Sequence, residues 1–211
     1  LIERLAPADV AVRLPPLRLK TPPGGLWGRD PILERLSPLL TPDAAPRTLT
    51  LTGPGGVGKT RLAALLAQRA LPAWRSRIVH LSLASLDDPG RLGDLLRENL
   101  GLTTPVATAL GDIPLLLLVD DCHHLPSPDL AVALQALRTD LPCLRLLVAS
   151  RHRIGIDGEV EVPLPPLATR DAQRLFAERL AAARPLSAPP VDQHLTEGWF
   201  RCAGGNPLAR E

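Results

Sequence analysis

Thr48-Leu49-Thr50-Leu51-Thr52-Gly53-Pro54-Gly55-Gly56-Val57-Gly58-Lys59-Thr60 is the stretch on which the reading of this chain turns. A short run of threonine and leucine leads into Gly-x-x-x-x-Gly-Lys-Thr, and Arg61-Leu62-Ala63-Ala64-Leu65-Leu66-Ala67-Gln68-Arg69-Ala70 follows with a helical composition. Strand, glycine loop and helix in that order are what a phosphate-binding loop requires. Gly53, Gly55, Gly56 and Gly58 let the backbone take positive φ and come close to an anion, so that successive N–H groups converge on phosphate oxygens. Lys59 supplies a mobile charge to the β- and γ-phosphates, Thr60 an oxygen ligand for Mg²⁺, and the new helix its positive dipole end. Val57 within the loop and Arg61 just after it complete the predicted nucleotide-binding run. A glycine-rich turn that merely joins strand to helix is the alternative, but a chance match would rarely also fall between a strand and a helix.

Outward from this loop, strands alternate with helices. Before it, Asp30 is placed as an N-cap and Pro31 as a first helical residue, with Ile32, Leu33, Leu36 and Leu39 or Leu40 forming an apolar stripe. After it, Pro72 stops the loop's helix and Arg77–Leu83 reads as a second strand. Asp88-Pro89 caps a helix carrying Leu92, Leu95, Leu96 and Leu100, which Gly101 closes. Leu115–Val119 is apolar at every position, the pattern of a strand covered on both sides, and Asp120-Asp121 follow at once. Ser127-Pro128 starts a further helix, Leu144–Ala149 is a fourth strand ending in Ser150-Arg151, and Val160 and Val162 alternate with charges as a short edge strand would. The expectation is an α/β fold, a doubly wound parallel sheet of the P-loop NTPase kind. Residues 26–167 are expected to form its nucleotide-binding core. Thr169 caps a helix with Ala172, Leu175, Phe176, Leu180 and Ala183 on one side, so 168–211 reads as the start of a helical lid subdomain. Residues 1–25, with Pro7, Pro15, Pro16, Pro22 and Pro23, read as a linker.

Composition narrows the class. In 211 residues, 45% are hydrophobic and 22% charged, which is the balance of a soluble globular chain, and no apolar run approaches a membrane span. A net charge of +2 makes no case for direct nucleic-acid binding. Cys122, Cys143 and Cys202 are too scattered for a disulfide framework and are expected to be reduced, mostly buried thiols. With no secretory signal in view, a cytoplasmic location is expected. The lack of any Met suggests a piece of a longer protein.

Ligands in open α/β sheets sit at the carboxyl ends of strands, where the loop, Asp120-Asp121 and Arg151 all fall. Asp120 has the place of a Walker B carboxylate holding Mg²⁺ beside Thr60. Asp121 is placed to orient or deprotonate an attacking water, or else is a turn aspartate ahead of the next helix. Arg151 either contacts the γ-phosphate or pairs with a carboxylate at the sheet edge. Cys122-His123-His124 lacks the spacing of a metal site.

Taken together, Trp27-Gly28-Arg29, the loop with Arg61-Leu62-Ala63, Leu115–Leu125, Leu146–Arg151 with Gly158-Glu159 and Pro163–Leu167, and Gly205-Asn206-Pro207-Leu208-Ala209 resemble the signal-transduction ATPases with numerous domains. These are relatives of the NB-ARC and apoptotic ATPases, and the branch that this chain resembles most lies in bacterial multidomain regulators. The resemblance implies ATP or ADP with Mg²⁺ as cofactors. It places Gly28, Arg29 and Pro207 near the adenine and ribose, with Pro207 on a lid that follows nucleotide state. It also implies that the chain works with other domains of the same polypeptide, a DNA-binding or cyclase domain and helical repeats, and leaves homo-oligomer formation open. Asp121, shorter than the Glu of strong ATPases, implies slow hydrolysis. The expected function is an ATP-driven switch. Its rivals are a nucleotide-binding scaffold without turnover and a small-molecule kinase, for which Arg151, Arg153 and Arg170 are a thin case.

Overall fold

The structure is a computed structural model that describes residues 27–183. The linker expected over 1–25 and the lid residues beyond 183, Trp199, Cys202 and Pro207 included, lie outside the described residues. Among the latter no helix is long and apolar enough to cross a membrane.

Strands whose side chains are apolar on both faces must be covered on both, and the sheet is built that way. β1 (Thr48–Thr52), β3 (Leu115–Asp120) and β4 (Leu144–Ala149) are almost entirely buried. With β2 (Ile78–Ser82) and β5 (Glu159–Pro163) they form a five-stranded sheet in the order β2-β3-β4-β1-β5, parallel throughout. One core layer lies beneath α1 (Asp30–Leu36) and α2 (Lys59–Ala70), where Leu33, Leu36, Leu62 and Leu66 meet Leu49 and Leu118. The other lies beneath α3 (Leu92–Asn99), α4 (Val106–Leu110) and α5 (Ser127–Asp140), where Leu96, Val106 and Leu134 meet Leu117 and Val148. α6 (Thr169–Ala183) follows β5, with Ala172 buried and Leu175, Phe176 and Leu180 half-buried. The expected α/β class and parallel sheet are present.

Three local expectations need correction. Asp30 is the first helical residue rather than the cap: Arg29 takes the cap position, and its side chain makes no capping bond. Cys143 is exposed, because it sits in the turn between α5 and β4 after Pro142, whereas Cys122 is buried. α4 was not anticipated, since five residues are too few for a helical period to stand out. Elsewhere the periodicity holds. The Asp88 side chain accepts from the Gly90 N–H, and Gly101 closes α3 at φ +65°.

Candidate functional site

Because β4 separates β1 from β3, the loop after β1 and the acidic pair after β3 stand two strands apart at the carboxyl edge, with Arg151 leaving β4 between them. The glycine loop is shaped by its backbone. Gly53 (φ +147°), Gly56 (φ +77°) and Gly58 (φ +98°) occupy conformations that side chains rarely adopt. A Cβ on Gly53 would also stand 3.0 Å from the Leu164 carbonyl oxygen.

Lys59 Nζ donates to the carbonyl oxygens of Gly53 (3.0 Å) and Pro54 (2.9 Å), so the ammonium arches over the loop that precedes it. An ammonium has three donors, and this arrangement uses two. Burial pulls the Lys59 pKa below its ordinary value; Asp120 acts against that shift and Arg151 adds to it. Arg151 is therefore close enough to repel Lys59, and its guanidinium lies over the loop, 3.7 Å from where a Gly55 Cβ would stand. Among the described residues no carboxylate pairs with Arg151.

The two aspartates diverge. Asp120 is buried, and burial raises its pKa against the hydrogen bonds of the Thr60 hydroxyl and the Asp121 N–H, the latter 2.8 Å from Asp120 Oδ1. Asp121 is exposed, holds a left-handed φ of +58°, and accepts the Ser82 hydroxyl at Oδ2 (2.9 Å). Of the residues expected to face one site, Asp120 meets the Thr60 hydroxyl, and Asp120 and Arg151 both act on Lys59, whereas Asp121 bonds to Ser82. A desolvated carboxylate beside a threonine hydroxyl is a hard oxygen pair suited to Mg²⁺, since a cation would relieve the burial penalty.

Arg29 and Gly28 belong to a second constellation. The buried Arg29 guanidinium donates to the Val57 carbonyl (3.2 Å) and the Pro165 carbonyl (2.7 Å), tying the glycine loop to the segment after β5. Gly28 (φ +67°) lies against α6, where a Cβ would fall 2.5 Å from Asp171 Oδ2. Trp27 Nε1 donates to Glu178 Oε2 (2.7 Å), and the Arg174 guanidinium lies 5.5 Å from the Trp27 ring centroid. Arg61, in the first turn of α2, is lowered in pKa by burial, with Arg179 adding to the shift and Glu178 opposing it, so it too faces α6.

Two structural residues escaped the sequence. Glu159, quoted in the resemblance and otherwise read as an edge-strand charge, has a fully buried side chain. It accepts the N–H groups of Ile154 (3.1 Å), Gly155 (2.8 Å) and Ile156 (3.3 Å) and the Arg153 Nε (3.2 Å). Burial pushes its carboxyl up, but hydrogen bonding outweighs this and holds it below the ordinary range. Ser82 is the other; only its polarity at the end of an apolar strand marks it. In the Cys122-His123-His124 run, Cys122 Sγ donates to the Ala149 carbonyl (3.6 Å) and His124 Nε2 lies 2.9 Å from the Leu86 carbonyl.

No protein-family model matches the chain. An uncharacterized protein of Mycobacterium tuberculosis is 33% identical over 175 residues, covering 78% of this chain and 44% of the relative. A candidate HTH-type transcriptional regulator of the same organism is 30% identical over 148 residues, 66% of this chain and 16% of its own length. The chain thus spans less than half the length of these curated relatives. Among solved structures, it is similar to the Orc1 protein of Aeropyrum pernix in complex with DNA (TM-score 0.64, 19% identity, 88% of this chain and 58% of that one). Domain III of the DnaA replication initiator of Thermotoga maritima gives a TM-score of 0.57 at 13% identity, over 88% of this chain and 80% of that one. A signal transduction ATPase with numerous domains and a tetratricopeptide repeat sensor, from Pyrococcus horikoshii, gives 0.51 at 17% identity, over 92% and 31%. At such identities the likeness is one of fold, and the fold is that of the P-loop ATPase domains.

Proposed function

We propose that the chain is an ATP-binding, slowly hydrolysing switch module of a larger signalling or transcriptional regulator, of the signal-transduction ATPase type with numerous domains. One observation carries it: Lys59 and Arg151, two like charges, both lie against the glycine loop, and among the described residues no carboxylate pairs with Arg151. That arrangement is favourable when an anion lies between them. In this reading the N–H groups of Gly55, Gly56, Val57, Gly58, Lys59 and Thr60 bind the phosphates, and the remaining Lys59 donor and Arg151 contact the terminal one. Thr60 and Asp120 would hold Mg²⁺, whose chemistry is to neutralise phosphate charge during transfer. Asp121 orients or deprotonates the attacking water when its carboxylate is free. Residues 26–167 act as the core and 168–211 as the beginning of a lid. The Pyrococcus horikoshii neighbour and the Mycobacterium tuberculosis regulator support the larger setting.

A scaffold that binds nucleotide without turnover is the second reading, favoured by the engagement of Asp121 with Ser82. Titration with a fluorescent ATP analogue tests the shared premise. Lys59→Ala is expected to weaken ATP–Mg²⁺ binding at least tenfold, about 1.4 kcal/mol. Equal affinity in the variant overturns the nucleotide assignment. Single-turnover hydrolysis by the unsubstituted chain separates switch from scaffold.

A further inference from the structure

We infer that Arg29 is a positioning residue for the glycine loop: it fixes the Val57–Gly58 peptide so that the Gly58 N–H faces the phosphates, and its second bond ties that peptide to the segment leading into α6. The inference rests on the nucleotide-binding reading above. Arg29 is only 4% exposed, so its guanidinium is too enclosed to meet a base or a phosphate directly. Its Nη2 donates to two carbonyl oxygens, those of Val57 (3.2 Å) and Pro165 (2.7 Å). Among the described residues no carboxylate pairs with it, and burial lowers its pKa. An apolar side chain would fill such a place at less cost than a buried charge held only by carbonyl dipoles. What the charge secures instead is the direction of one peptide.

A trans peptide sets its C=O and N–H in opposite directions, and the only cis bond among the described residues is Ala45–Pro46. With the Val57 carbonyl turned inward to Arg29, the Gly58 N–H therefore points outward. Val57 is buried and Gly58 half-buried, which agrees with that direction, and no carbonyl among the described residues accepts this N–H. It is one of the donors assigned above to the phosphates. The peptide needs holding because of Gly58 itself. At φ +98° Gly58 sits where side chains rarely go, but glycine takes either sign of φ with little penalty, so the residue that shapes the loop also leaves this peptide free to turn over. Turned over, it would present a carbonyl dipole to the anion. Arg29 opposes that turn, and the bond to Pro165 makes its grip depend on the chain between β5 and α6. Pro165 and Pro166 stiffen that chain, and the neighbouring Gly28 lies against Asp171 in the first turn of α6. A displacement of α6 thus reaches the loop through this strut.

The test measures competition of magnesium pyrophosphate and of ATP–Mg²⁺ against a fluorescent ATP analogue bound to the full chain. Pyrophosphate has no base, so it reads the loop alone. Arg29→Met is expected to weaken both ligands by the same factor, about tenfold, the size of a hydrogen bond to a charged group. Arg29→Lys, which keeps a charged donor, is expected to bind both within about threefold of the parent. A second measurement needs no substitution and stands even where the apolar variant does not fold: in the isotope-labelled parent, the Gly58 amide proton moves downfield when magnesium pyrophosphate is added. Unchanged pyrophosphate binding in Arg29→Met overturns the inference, as does a loss confined to ATP, which would put Arg29 on the base. So does an Arg29→Lys chain as weak as Arg29→Met, or a Gly58 resonance that stays in place. Failure of the unsubstituted chain to bind the analogue at all overturns the nucleotide reading instead.

Discussion

Asp120 gives up hydration when the chain folds, and two neutral donors, the Thr60 hydroxyl and the Asp121 N–H, replace it only in part. Its folded pKa lies above the unfolded one, so the ionised group is destabilising once the pH has risen through that window and neutral in effect below about 3.9. Asp120→Asn should therefore leave the nucleotide-free protein as stable as the parent or more so at pH 7, with the advantage vanishing in acid. The same change should impair Mg²⁺-dependent nucleotide binding. Asp121→Asn should leave binding nearly intact and slow hydrolysis. Differential scanning calorimetry with and without ATP–Mg²⁺ checks both halves. A fall of several degrees in the nucleotide-free melting temperature of Asp120→Asn would show that its hydrogen bonds outweigh the burial penalty. Function and stability then pull in opposite directions at this one residue, as they commonly do where a site is built for a missing charge.

At the scale of elements, the segment joining β4 to β5 is organised by a carboxylate. Glu159 sits at the head of β5 and gathers the N–H groups of Ile154, Gly155 and Ile156, which no strand or helix satisfies. Its depressed pKa means that this contribution is present above the unfolded value, about 4.3, and is lost as the pH falls through the folded one. Glu159→Gln turns an amide donor toward those N–H groups and should cost about 2 kcal/mol at pH 7. The difference from the parent should shrink as the pH falls below about 4. Urea unfolding at several pH values reads this directly, and a constant difference would assign the loss to packing. The contrast with β1 and β3 explains what the sequence made legible. Unbroken apolar runs and the glycine loop carry their own signal within a few residues. Glu159 alternates with valines as any edge-strand charge does, and nothing in that pattern says that the turn before it will fold back onto the carboxylate. Arg29 is similar: a resemblance pointed to it, but no pattern in the sequence says that its guanidinium meets carbonyls at Val57 and Pro165, the latter 136 positions away.

For the whole molecule, the question is how the glycine loop and α6 communicate. Trp27, Gly28 and Arg29 touch both, through Glu178 and Asp171 on α6 and through the Val57 carbonyl of the loop, while Arg61 faces α6 from the loop's own helix. If this is a switch, ATP–Mg²⁺ and ADP should give different hydrogen-exchange protection across 169–183 and across 191–208, where Pro207 is proposed to follow the nucleotide. Identical patterns with ATP, with ADP and without nucleotide would favour the scaffold reading. That the sheet is parallel followed from alternation of elements, and that the loop and Asp120 share an edge followed from their place at the carboxyl ends of strands. The Trp27–Glu178 bond did not, since residues 151 positions apart come together only through the finished fold.

The strand order also bears on how the chain is made. β1 pairs with β4 on one side and β5 on the other, and both follow it by roughly a hundred residues. At ribosomal rates that interval is on the order of ten seconds. During it the first strand has no neighbour in its sheet, and the glycine loop lacks both the Pro165 end of the Arg29 strut and the Leu164 carbonyl behind Gly53. A nascent chain therefore carries the glycine-rich motif long before the loop has its finished shape, and the proposed capacity to hold a nucleotide would arrive late in synthesis, with the closing of the sheet.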